Sequence, residues 1–244
     1  MGMRRLLAAI AVACSVAATG ATSGHAYPGC PAAKGPDLNL RAADNTRIVA
    51  HRWGTGKTAV VLVHQSGADL CQWASYATRL AGLGYRAFAL DLRGNGRSQY
   101  RPLPSGLRFT ADIAAAVKEA RREGATRVFV LGASLGANAA VVAAANIRPL
   151  ITGVVSLSAP GTFRLDAVAG AKHLQVPPLY VAAEVDEGGI YATDARTMFE
   201  ATPVTDKSIA IVPGGKHGVA LVAGPGRVRS LVESFLRSHS GGRR

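Results

Sequence analysis

The sequence is short of aromatic side chains, cysteines and acids. Aromatics make up 6% of its 244 residues, so no stacking groove marks a ligand. With no arginine-rich helix, aromatic platform or zinc-ligand spacing, the nucleic-acid binders are excluded as a class. Cysteine occurs three times, at Cys14, Cys30 and Cys71, and no neighbouring pattern marks any of them as catalytic. Beyond the N-terminal stretch, no segment holds the roughly 18 unbroken apolar residues that a membrane helix needs. Internal repeats and interdomain linkers are lacking as well. Acids number 15 against 28 lysines and arginines, and that imbalance has to be accounted for.

What is present fits a packed domain. The apolar fraction is 48% and the charged fraction 18%, the balance of a globular chain and not of a disordered one. A chain of this length can bury a sizeable core without metals or many disulfides.

Residues 1–26 stand apart. Arg4 and Arg5 precede an apolar run from Leu6 to Ala13, and small residues follow. This is the pattern of a secretory signal segment, too short to span a bilayer. Gly24 and Ala26 offer a small pair for cleavage after Ala26, with Ala18 as the other site. Cys14 leaves open a lipid-anchored form. The expectation is a secreted or extracytoplasmic protein with one domain over residues 27–244. Removing residues 1–26 takes away two arginines and no acid, leaving +11 of the +13 net charge. Such a surface attracts anionic envelope polymers; a well-solvated basic surface is the plainer reading. In an oxidising compartment Cys30 and Cys71 are expected to form one disulfide.

Along the chain, "LNLRAAD" and "RIVAHRWG" alternate and flank "DNT", which predicts a hairpin. Continuous apolar runs follow: "AVVLVHQ", "YRAFALDL", "RVFVLGAS", "GVVSLSAP", "PLYVAAEV" and "KSIAIVPG". Runs of strand length without alternation suit strands buried on both faces. Helical stretches separate them, among them "TADIAAAVKEARREG", with Thr110 as its expected N-cap, and the all-round apolar "LGANAAVVAAANI". The alternation predicts an α/β fold: a mostly parallel sheet of about eight strands with helices on both faces. Only Gly161 to Val176 separates the fourth and fifth of the apolar runs. That is too short for a lid domain, so the cap should be minimal.

The chemistry centres on Gly132-Ala133-Ser134-Leu135-Gly136. A nucleophile at a strand-to-helix turn has strained backbone angles, and side chains two residues before and after it would collide. Ser134 would then project its hydroxyl above the sheet. The Leu135 N–H, at the helix start, would meet a developing oxyanion. Serine needs a base, and His217 lies in a glycine-rich loop after the last strand. The base needs a carboxylate to hold its tautomer. Asp186 ends the preceding strand; Glu184 is expected to lie inside that strand and not at its tip. A second oxyanion donor should come from the loop after "AVVLV", from the N–H of Ser66 or that of Gln65. His64 is read as a support of that loop and not as a base.

Elbow, triad order and oxyanion loop together resemble the α/β-hydrolase family, over about residues 38–240. "DLRGNGRS", Asp91 to Ser98, resembles that family's loop after the next strand, where its role is structural. The chain departs from the family in carrying His64-Gln65 where members often carry His-Gly. The resemblance implies an α/β-hydrolase fold and hydrolysis of carboxylic esters by acyl transfer, with no metal or organic cofactor; the open top of the sheet favours small or surface-bound esters. A peptidase, amidase or acyltransferase would use the same residues, and a noncatalytic envelope binder is the rival from another class. Serine at the elbow disfavours an aspartate-nucleophile dehalogenase or epoxide hydrolase. Oligomeric state is not legible.

Overall fold

The computed structural model describes residues 37–104 and 107–241. The expectations for residues 1–26 and for Cys30, and with it the Cys30–Cys71 disulfide, lie outside them.

Eight strands form one sheet: β1 (Leu38–Arg41), β2 (Arg47–Trp53), β3 (Thr58–Val63), β4 (Arg86–Leu90), β5 (Arg127–Ala133), β6 (Gly153–Leu157), β9 (Pro178–Ala183) and β10 (Ser208–Val212). Their order is β1-β2-β4-β3-β5-β6-β9-β10. The first two pair as the antiparallel hairpin that the alternation predicts, β2 meets β4 antiparallel, and every later pairing is parallel. A separate two-stranded hairpin, β7 (Thr162–Phe163) with β8 (Leu165–Asp166), sits in the short segment between β6 and β9.

The central strands are buried on both sides, as their unbroken apolar runs require. Along β3, Ala59, Val61 and Val63 enter one core, while Val60 and Leu62 enter the other. That is the two-residue period of a strand. Helices α1 (Ala74–Gly82) and α6 (Arg227–His239) cover the second core. Helices α2 (Phe109–Arg122), α3 (Leu135–Asn146), α4 (Ala167–Ala171) and α5 (Ile190–Ala201) cover the first. Helix α3 is buried on nearly every side, from Leu135 to Ala145. Its small alanines let it pack between the sheet and two neighbouring helices, α2 and α4.

One helix start differs from its prediction. Thr110 is not a cap: α2 begins at Phe109, its cap position is Arg108, and no side chain caps it. Phe109 is buried, so an apolar contact sets the start where a hydroxyl was expected to.

The "DLRGNGRS" segment is structural, as its resemblance implies. Asp91 accepts the N–H of Leu70 (2.8 Å) and of Arg97 (2.9 Å). Arg93 is 2% exposed and pairs with Asp112 (2.6 Å) and Asp44 (2.7 Å). A buried guanidinium needs such partners, because losing one leaves a charge uncompensated. Those bonds fix the loop that faces the start of α1. Among the described residues, no helix is long and apolar enough to cross a membrane.

Candidate active site

Strand β5 delivers Ser134 to the C-terminal edge of the sheet. Its backbone is strained, with φ 51° and ψ −118°. Both glycines around it are required. A Cβ on Gly132 would run into the Gly136 carbonyl, and one on Gly136 into the carbonyls of Val63 and His64. The turn is pinned by Ser134 N–H donating to Leu157 O (2.9 Å). Ser134 O accepts the N–H groups of Ala137 and Asn138 (2.9 Å each). The hydroxyl stands at the N-terminus of α3, where the helix dipole and unsatisfied N–H groups favour negative charge.

His217 and Asp186 come together as the spacing predicts. His217 Nδ1 lies 3.0 Å from Asp186 Oδ2 and 3.1 Å from Oδ1. Asp186 is buried and the His217 side chain is 27% exposed. Such a carboxylate holds the histidine with Nδ1 protonated, leaving Nε2 to take a proton. Glu184 does not compete. Strand β9 ends at Ala183, so Glu184 is past the strand and exposed, not inside it. Asp166, further on, caps α4 through the Ala169 N–H (2.8 Å).

Ser134, His217, Ser66 and Gln65 line one cavity of about 580 Å³. Among the described residues, no hydrogen bond joins Ser134 to His217. Catalytic bonds of this kind often tighten only when substrate is in place.

The oxyanion loop separates its two candidate donors. Gln65 N–H already donates to Gln72 Oε1 (3.2 Å). The N–H groups of Ser66 and Leu135 have no acceptor among the described residues. His64 supports the loop, as read from the sequence. Nδ1–H donates to Gln65 O (2.7 Å), and Nε2 accepts Leu92 N–H (3.0 Å). It is fully buried, and burial holds its pKa below the usual histidine value, so it stays neutral.

Three contributors escaped the sequence reading. Ser158, fully buried at φ 50°, accepts Gly218 N–H at 3.1 Å and so holds the residue after His217. The Tyr191 ring lies 4.7 Å from that of His217, and burial pushes its hydroxyl up to about 12. Asn138, fully buried on α3, donates to Pro160 O (2.9 Å) and Leu165 O (3.0 Å), tying down the β7–β8 hairpin. Only "SLSAP" carried a visible signal, a serine at a strand end. No group of three or more His, Cys, Asp or Glu side chains among the described residues could hold a metal ion.

Comparison with known proteins bears on the fold. Residues 54–167, just under half of the chain, match the family described as "Serine aminopeptidase, S33". The chain is 34% identical over 101 residues to epoxide hydrolase B of Mycobacterium tuberculosis. That stretch is 41% of this chain and spans 28% of the curated relative's length. An esterase from Pyrococcus furiosus superposes with a TM-score of 0.70 at 18% identity, over 84% of this chain and 91% of the esterase. A Thermogutta terrifontis esterase gives 0.69 at 17% identity, over 84% and 99%. A Paleococcus ferrophilus monoacylglycerol lipase gives 0.65 at 19% identity, over 79% and 99%. The structural likenesses and the eight-stranded sheet give the chain the α/β-hydrolase fold.

Proposed function

We propose that the protein is an exported serine hydrolase that cleaves carboxylic esters. Ser134 Oγ attacks the ester carbonyl while His217 Nε2 takes its proton. Asp186 orients His217 and stabilises its cation. The N–H groups of Leu135 and Ser66 bind the oxyanion. The C–O bond breaks, the alcohol leaves with the proton from His217, and water then splits the acyl-serine by the same steps. One oxyanion donor contributes on the order of 10²–10³-fold in rate.

The observation that carries the reading is the pairing of a strained Ser134 with an Asp186-bound His217 on one cavity. The esterases and the lipase among the similar structures support the ester bond as substrate. Export rests on the leader-like residues 1–26, and the basic surface would hold the protein near anionic envelope polymers. The family description brings amides into the test.

The test is turnover of nitrophenyl esters from short to long acyl chains, beside an amino-acid anilide, with Ser134→Ala as control. Ester turnover that falls about 10⁴-fold or more in the variant is expected. Equal activity in both proteins refutes the site. Anilide cleavage without ester cleavage makes the protein a peptidase.

A further inference from the structure

Two cavities share Ser66, one of the proposed oxyanion donors. The one with Ser134 and His217 has Glu187 and Asp194 in its wall. The other, of about 230 Å³, is lined by Ser66 and Leu135. Among the described residues, the charged ones lining this second cavity are Arg93, Arg101 and Arg164, with no acid.

Arg93 is neutralised by Asp44 and Asp112. Arg101 and Arg164 are not. Arg101 donates Nε–H to Thr46 Oγ1 (3.2 Å), which fixes one edge of its guanidinium. Among the described residues, neither arginine has a carboxylate partner. Arg164 turns the β7–β8 hairpin at φ 62°. That backbone suits glycine or asparagine and strains an arginine. The hairpin is held firmly, by Asn138 and by Gly161 N–H donating to Asp194 (2.8 Å). Arg164 thus lines the cavity from a strained position on a fixed hairpin, its guanidinium over the Phe163 ring at 5.6 Å from the centroid.

The catalytic geometry tells which half of an ester lies there. His217 must hand its proton to the leaving alcohol, so the alcohol occupies the cavity that contains His217. The acyl chain then crosses the oxyanion position into the second cavity. Leu107, Phe109 and Leu135 give that cavity apolar walls, which suit methylenes, and the two arginines suit an anionic end. Its volume fits a short chain. We infer that the protein hydrolyses half-esters of short dicarboxylic acids, with the free carboxylate held by Arg101 and Arg164. This rests on the ester-hydrolase reading and narrows it to a substrate class.

The experiment compares monomethyl glutarate with methyl valerate, which has the same acyl length and a methyl end. Proton release is followed for wild type, Arg101→Gln and Arg164→Gly. Arg164→Gly removes the cation and the backbone strain together, so misfolding would not explain a loss. Wild type should favour the glutarate ester in kcat/KM, chiefly through KM. Each substitution should lower the ratio of the two kcat/KM values about tenfold, as for a charged hydrogen bond. The preference should also weaken with salt. A ratio near one, or one that neither substitution moves, overturns the inference. Calorimetric binding of glutarate to Ser134→Ala separates the two readings. If neither these esters nor the nitrophenyl esters turn over, the ester-hydrolase reading fails, while saturable glutarate binding that Arg101→Gln abolishes upholds the anion subsite; no binding removes it. Capture by phosphatidylglycerol vesicles without any preference between the soluble esters assigns the arginines to a membrane surface and also overturns it.

Discussion

Ser134 holds a backbone that ordinary side chains avoid, so removing its Cβ should stabilise the protein while abolishing catalysis. The comparison is Ser134→Ala against Ser134→Gly. Both lose the hydroxyl, but alanine keeps the Cβ and with it the strain at φ 51°, ψ −118°. Strained non-glycine backbones of this kind cost on the order of 1–3 kcal/mol. Glycine gives back roughly 0.5–1 kcal/mol through the greater freedom of its unfolded chain. The glycine variant should therefore exceed the alanine variant by about 0–2.5 kcal/mol, with roughly 1 kcal/mol as the central value. For a domain of this size ~1 kcal/mol moves Tm by about 2–4 °C, so the gap is readable by circular dichroism or calorimetry. Ester turnover should fall about 10⁴-fold or more in both. If Ser134→Gly melts at or below Ser134→Ala, the turn stores no strain on the Cβ, and the account of the elbow given above is wrong.

Asp186→Asn should lower kcat on esters by about 10⁴-fold, because an amide no longer enforces the tautomer that leaves Nε2 free; a loss under tenfold would remove Asp186 from the triad. Ser158→Ala keeps the backbone at φ 50° and deletes the acceptor of the buried Gly218 N–H. It should cost about 1–3 kcal/mol of stability, read as a lower urea midpoint, and lower kcat by displacing His217. Acid should destabilise the fold in two stages. Burial holds His64 below the usual 6.5, and the Arg93 guanidinium holds the Asp44 carboxyl below its usual 3.8. Groups held low bind protons more readily in the unfolded chain, so their stabilisation is complete above the unfolded value and lost as pH falls. Tm should decline below about pH 6.5 and again below about pH 4; a Tm flat from pH 7 to 5 would contradict the neutral, buried His64.

The strand runs and the meeting of His217 with Asp186 were legible because each is carried by local pattern. A run such as "AVVLV" has no alternation, so it must be covered on both faces, and that fixes helices on both sides. Gly132 and Gly136 announce Ser134 because only glycine clears the carbonyls around it. Asp186 was read as the end of its strand, but β9 stops at Ala183, so Asp186 opens the turn that follows and Glu184 also lies beyond the strand. What stayed hidden depends on contacts distant in sequence. Ser158 and Gly218 are 60 residues apart, and Asn138 reaches Pro160 and Leu165 across 22 and 27. Thr110 failed as a cap for the opposite reason. Its local signal was sound, but burial of Phe109 outweighed one hydroxyl bond.

The strained residues say where the fold spends stability. Asn45, Ser134, Ser158, Arg164 and Glu187 are the described non-glycine residues with positive φ. All but Asn45 border the candidate site: Ser134 is the elbow, Ser158 anchors Gly218, Arg164 turns the hairpin, and Glu187 follows Asp186 and accepts the Tyr191 hydroxyl (3.1 Å). At on the order of 1–3 kcal/mol each, their joint cost is comparable to the net stability of a domain. It can be sustained only because they extend from strands β5, β6 and β9 and their connections, whose side chains are buried on both faces. Strain on a rigid edge holds side chains in place, which is what the proposed acyl transfer would demand. The same reasoning makes Arg164 informative: glycine would serve the turn at lower cost, so the arginine is expected to act through its charge and not through its backbone.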